Sequence, residues 1–189
     1  SSQYTGDVGR FTWDTANKQL SILSANSIML SSRQFSDGKI NLDIKFDRYT
    51  PKGAINQLIG IVFRYQNDNN YYRLSLYSPE SETSIGNIIL QKRLNGQWTS
   101  LKNVNISDDL TEFNTLQLVC VGDQIKGYVN DVLRIDVVDS TFSEGLVGIF
   151  NVGSSYVKYC KNLVVSPSIS YADDFATDTI ERYQPVFET

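Results

Sequence analysis

Arg64, Tyr71, Arg73 and Tyr77 are the side chains whose types and spacing carry the clearest chemistry. They lie in the stretch LIGIVFRYQNDNNYYRLSLY, from Leu58 to Tyr77. Planar rings offer apolar faces, and guanidinium groups offer forks of hydrogen-bond donors. That combination suits binding a planar or ring-shaped polar ligand. Successive side chains on a strand point to opposite faces. If Leu58–Tyr65 and Tyr71–Tyr77 are the two arms of a β-hairpin, Tyr71, Arg73 and Tyr77 share one face. Arg64 is expected to join them from the facing arm. Lys126 and Tyr128 share a face of a later strand, and both are expected to extend the same surface.

Catalytic chemistry is harder to find. The chain contains no histidine, which excludes Ser-His-Asp and Cys-His nucleophile systems and most zinc sites. Glycosidic hydrolysis needs two carboxylates flanking the scissile bond. Asp43 and Asp47 alternate with Lys45 and read as a solvated strand face. Glu80 and Glu82 fall in a Ser-rich loop that sets no fixed separation. Asp136 and Asp139 flank Val137 and Val138. None of these makes a convincing acid–base pair, so no catalytic residue is assigned and the chain is not expected to be an enzyme.

The elements that position these residues are strands. Gln66 to Asn70 favour a turn, because Asn and Asp side chains bond to nearby backbone and tolerate left-handed conformations. In GKINLDIKFD, Ile40, Leu42, Ile44 and Phe46 alternate with Asn41, Asp43, Lys45 and Asp47, one dry face and one wet face. Asn95-Gly96 is the strongest short hairpin signal, and Trp98, core or platform, follows it. Gly122-Asp123 and Asn130-Asp131 mark two further turns, and Asn17-Lys18 an early one. Trp13 reads as a packing residue beside that first hairpin. SDDLTEF is the one helix-like fragment, a single turn with Ser107 as its N-cap. No stretch of helical length carries apolar residues at helical spacing. About ten to twelve short strands predict an all-β antiparallel sandwich or barrel. The residues expected between its layers are Ile40, Leu42, Ile44, Phe46, Ile61, Phe63, Leu74, Leu76, Leu116, Leu118 and Ile149.

Length and charge narrow the partners. The chain's 189 residues suit one domain of ordinary size or one domain with an appendage. A net charge of −4 argues against nucleic acid, and no apolar run reaches transmembrane length. The chain does not begin with Met and reads as a fragment or a mature chain. Cys120 and Cys160 both sit in strand-like runs. They are either two buried thiols or a strand-to-strand disulfide.

The order of motifs resembles the concanavalin A-like lectin/glucanase superfamily. The likeness runs over residues 10–166 and is nearest to laminin G-like and bacterial sugar-binding jelly rolls. It rests on Arg64, Asn69 to Leu74, Gly122 to Asn130, Asp139 to Phe142, Gly145 to Gly148 and Tyr159 to Val165. It implies a β-jelly-roll domain over 1–166 and a carbohydrate-binding module that does not cleave its ligand. In such modules aromatic rings meet sugar faces while Arg, Asn and Asp take the hydroxyls. The eleven Tyr and two Trp supply such rings. It further implies an exported bacterial protein, at the cell surface or outside it. The alternatives are a protein-binding adhesion module of laminin G-like type and a divergent glycoside hydrolase. Relatives often hold a structural Ca²⁺, and the chain has acidic turns, but no Asp-x-Asp-x-Asp loop is present. No other cofactor is expected. Residues 167–189 contain Asp173-Asp174-Phe175, which resembles the strand that normally opens this fold. The segment is expected to complete the sandwich from the C-terminal end, burying Phe175 and Tyr183. Alternatively it opens a following module and exchanges strands with a neighbour.

Overall fold

The computed structural model describes residues 4–6, 11–22, 26–47, 57–78, 86–153 and 157–167. Alternating apolar and polar positions give strands, and the described residues form fourteen of them in two seven-stranded antiparallel sheets. The first sheet runs β1 (Tyr4–Gly6), β4 (Ser27–Phe35), β13 (Gly145–Val152), β6 (Leu58–Asn67), β7 (Asn70–Tyr77), β8 (Gly86–Leu94) and β9 (Gln97–Ile106). The second runs β12 (Val132–Val138), β11 (Gln124–Val129), β10 (Asn114–Val121), β5 (Gly38–Phe46), β14 (Lys158–Pro167), β3 (Gln19–Ile22) and β2 (Phe11–Asp14). The sheets pack face to face as a jelly-roll sandwich. The eleven residues expected between the layers are all buried in one core cluster. SDDLTEF forms turns instead of a helical turn. There the Asp109 carboxylate accepts hydrogen bonds from the amide and hydroxyl of Thr111, which favours a turn over a helix start. The C-terminal segment 168–189 and the loop holding Glu80 and Glu82 lie outside the described residues.

The turns follow their sequences. Asn95 and Gly96 both take positive φ (51° and 81°), as do Asn130 and Asp131 (49° and 64°). These are the left-handed pairs that close two-residue hairpins with the twist of the flanking strands. Cys120 and Cys160 are free and buried. Burial pushes both thiols up to about 12, so they stay protonated and pack as small apolar groups.

The organising hairpin departs from simple alternation at one point. Ile59, Ile61 and Phe63 point into the core as expected. A bulge follows, in which Phe63 and Arg64 together stand opposite Val147 of β13. Arg64 takes a positive φ of 48°, and its side chain turns inward to full burial. Tyr65 is thereby sent outward. The expectation that Arg64 lies on the exposed face is therefore corrected: an inserted residue shifts the parity of everything after it. Gly145 lies against this bulge at φ +151°, where a Cβ would come within 2.5 Å of the Arg64 carbonyl carbon.

Inside, Arg64 ties three segments together. Nε and Nη2 donate to the Ser36 carbonyl (3.1 and 2.9 Å), Nη1 to the Phe142 carbonyl (2.9 Å), and Nη2 also to the Gly122 carbonyl (2.7 Å). Asp37 Oδ1 lies 3.1 Å from Nη2 and also accepts from the Gly122 amide. One guanidinium thus holds the β4–β5 turn, the β10–β11 turn and the crossover from β12 to β13.

The same crossover has a second anchor. Asp139 accepts from Lys92 Nζ (2.6 Å), Tyr72 Oη (2.5 Å) and the Thr141 amide (3.0 Å). Desolvation raises the Asp139 pKa, but the bonds from Lys92, Thr141 and Tyr72 outweigh it and hold the carboxyl well below the usual carboxylate range. Desolvation, reinforced by the bond to Asp139, pushes the Tyr72 phenol up to about 12. A depressed folded-state pKa stabilises the fold above the unfolded value of about 3.9, and that contribution fades as pH falls through the folded value. Asp139→Asn is expected to lose about 2 kcal/mol at neutral pH, the scale of hydrogen bonds to a charged group. The gap to the parent protein should begin to narrow below about pH 4 and close only as pH falls through the folded value. Urea titrations of both proteins at pH 7 and pH 3 check this; a gap independent of pH would contradict the assignment.

Candidate functional site

The outer face of the first sheet carries a second apolar cluster. Leu58, Val62, Tyr71 and Phe150 are buried there, with Tyr65, Tyr77, Ile28, Ile89 and Val152 packed against them. These residues come from β4, β6, β7, β8 and β13. The aromatic rings contribute to this burial by packing against one another. Tyr65 and Tyr71 have ring centroids 5.4 Å apart, and Tyr71 meets Trp98 edge-on at 5.5 Å. The Tyr65 hydroxyl bonds to Asp68 in the adjoining turn.

Register brings the polar groups beside these rings. Tyr71 stands opposite Arg93, and Arg73 opposite Gln91, across the β7–β8 pair. The tight Asn95-Gly96 turn places Arg93 opposite Trp98. The Arg73 guanidinium stacks over the Trp98 ring, 3.7 Å from its centroid, and lies 5.1 Å from that of Phe150. Arg93 lies 5.5 Å from the Trp98 centroid and donates from Nε to the Gly96 carbonyl (3.3 Å). Arg73 Nε donates to Gln91 Oε1 at 2.9 Å. Together Tyr71, Arg73, Arg93, Trp98 and Phe150 wall a depression of about 440 Å³. Burial, assisted by the neighbouring Arg93 charge, lowers the Arg73 pKa to about 10, with Tyr71 opposing. Arg73 still carries its charge at neutral pH.

Of the residues expected to form the surface, Tyr71 and Arg73 wall this depression. Tyr77 shares the sheet face but stands nearer its other end, opposite Asn87. There the Asn87 amide bonds to Asn103 and Asn105 (3.0 and 2.7 Å). Arg64 is buried beneath, on the core side. Lys126 and Tyr128 are on β11, in the second sheet, and their expected place on this surface is corrected. Their neighbours Ile125 and Val129 fill the core, so the two side chains point outward from the opposite side of the sandwich. Lys126 makes a half-exposed ion pair with Asp136 at 3.8 Å. Arg93 and Phe150 were not singled out from the sequence. Their signals were present: Phe150 follows the core residue Ile149, and Arg93 pairs with Trp98 through the Asn95-Gly96 turn.

Two other depressions suit a polar ring less well. One of about 360 Å³ is walled by both sheets and mostly apolar, with Trp13, Leu20, Met29 and Leu42 among its lining. It offers few donors for hydroxyls. Another, of about 480 Å³ on the second sheet, includes Lys45, Phe113 and Tyr159. Its Phe113 ring is already capped by Lys161, whose Nζ lies 3.9 Å from the centroid. Among the described residues no group of three or more Cys, Asp or Glu side chains is placed to hold a metal ion.

No family model matches the chain, and no curated protein matches it. Solved structures do. The carbohydrate-binding module CBM66 from Bacillus subtilis is 25% identical, with a TM-score of 0.67, over 86% of this chain and 94% of that one. A Bacillus subtilis protein of unknown function with a galectin-like fold is 11% identical, with a TM-score of 0.59, over 86% of this chain and 87% of that one. A GlcNAcα1-4Gal releasing endo-β-galactosidase from Clostridium perfringens is 13% identical, with a TM-score of 0.60. It is matched over 87% of this chain and 59% of its own. The last two likenesses concern the fold alone. The chain therefore has the all-β, jelly-roll sandwich architecture that these structures share.

Proposed function

We propose that this chain is a non-catalytic carbohydrate-binding module of an exported protein, and that it holds its glycan in the depression at Arg73 and Trp98. The observation that carries this reading is the convergence there of Tyr71, Trp98 and Phe150 with two guanidinium groups. Rings supply apolar contact to the C–H faces of a sugar, and guanidinium donors meet its ring and hydroxyl oxygens. The likeness to a carbohydrate-binding module over nearly its whole length supports the reading.

Absence of hydrolysis is part of the proposal. No carboxylate lines the depression among the described residues, whereas glycosidases place two beside the scissile bond. Three of the carboxylates first considered have other partners. Asp43 accepts from Thr115 (2.7 Å) and Asn162 (2.7 Å), Asp136 from Gln124, and Asp139 holds the crossover.

Affinity electrophoresis of the full chain through gels containing plant, fungal and bacterial polysaccharides tests this. Retardation by at least one polymer, with no reducing ends released from it, is the expected result. Migration unchanged by every polymer would defeat the reading, and released product would turn it into the hydrolase alternative.

A further inference from the structure

The depression carries two positive charges and no described negative one. Arg73 spends Nε on Gln91, a neutral amide, and Arg93 spends Nε on a backbone carbonyl. Neither forms an ion pair with a described residue, although the four described pairs engage Arg64, Lys92, Lys126 and Arg134. The chain as a whole is acidic, at −4, so two neighbouring guanidiniums with no ion-pair partner among the described residues are a local exception. Like charges held together and partly desolvated cost free energy, and an anion arriving between them would relieve that cost.

The stacking geometry says how the anion would be met. Arg73 lies against Trp98 at 3.7 Å, so that ring supports the guanidinium. With Nε held by Gln91, the two Nη groups form the end of the fork turned away from that bond. Paired N–H groups match the two oxygens of a carboxylate.

Resting on the binding reading above, we infer that the sugar held at Arg73 and Arg93 is an acidic one, a uronic acid residue whose carboxylate bridges the two guanidinium groups.

The probes are oligogalacturonate, oligoglucuronate and oligomannuronate, each compared with its carboxyl-methylated form and with the corresponding neutral oligosaccharide, by calorimetry on the full chain. At least one uronate should bind, and methylation of its carboxyls should weaken it tenfold or more. Arg73→Gln and Arg93→Gln should each produce a similar loss. Lys126→Gln, which removes a charge from the opposite sheet, should change nothing. Because Arg73 is packed against Trp98, Arg93→Gln keeps the test decisive if Arg73→Gln folds poorly. Binding of neutral oligosaccharides with no gain from the carboxylate would overturn the inference and leave the carbohydrate reading intact. Uronate binding that survives both arginine substitutions would also overturn it, as attraction elsewhere on the surface. Binding of none of these sugars, acidic or neutral, would overturn it together with the placement of a sugar in this depression. The electrophoresis described above then decides whether the chain binds carbohydrate elsewhere.

Discussion

Arg64→Ala is expected to cost about 3–5 kcal/mol of folding stability, the scale for truncating a large buried side chain and stranding its hydrogen-bond partners. The substitution leaves the Ser36, Gly122 and Phe142 carbonyls without their donors and Asp37 without its cation. It also opens a cavity at the junction of three segments. In a protein of this size the melting temperature should fall by roughly 10 °C. Arg64→Lys should fall between the two, because one ammonium keeps the charge but cannot reach all the acceptors a fork does. Glycan affinity of the folded fraction should be unchanged, since Arg64 lies on the core side of the sheet. Thermal melts and calorimetry on the same preparations separate the two readouts. A stable Arg64→Ala variant that no longer binds glycan would restore Arg64 to the binding surface and refute the structural assignment.

Trp98→Ala should have the opposite profile. Trp98 is 41% exposed, so its removal should cost no more than about 1 kcal/mol of stability, near the centre of the range for point substitutions. Binding should drop about a hundredfold, equivalent to about 2.7 kcal/mol. The reason is that one ring supports several groups: the Arg73 guanidinium stacks on it, Arg93 lies beside it and Tyr71 meets its edge. Aromatic anchors of this kind commonly dominate binding energy. Trp98→Phe should recover part of the loss by returning a smaller face for Arg73. Trp13→Ala is the matched control, an exposed tryptophan on the second sheet, and it should leave affinity unchanged. Equal losses from Trp98→Ala and Trp13→Ala would show that the depression at Arg73 is not where the ligand sits.

The amino-acid sequence by itself determined the layers and their turns. Period-two alternation in β5 and β7 assigns Ile40, Leu42, Ile44 and Phe46, and Tyr72, Leu74 and Leu76, to the core, and all are buried. It likewise sends Tyr71 and Arg73 to the outer face. Asn95-Gly96 and Asn130-Asp131 specify their hairpins because few other residues accept two consecutive left-handed conformations. Three matters were decided only by the tertiary structure. Alternation says whether a side chain faces the core but not which sheet it belongs to, so Lys126 and Tyr128 share the outward sense of Arg73 while lying on the other side of the sandwich. A bulge inserts one residue and reverses the count, and that reversal takes Arg64 from the surface to the interior. Finally, the depression exists because β4, β7, β8, β9 and β13 lie in one sheet. Arg73, Arg93 and Trp98 come close through pairing across the segment between Tyr77 and Gly86, and Phe150 through a strand far along the chain. No local pattern encodes those long-range registers, because they follow from which dry faces can be buried together once the whole chain has collapsed.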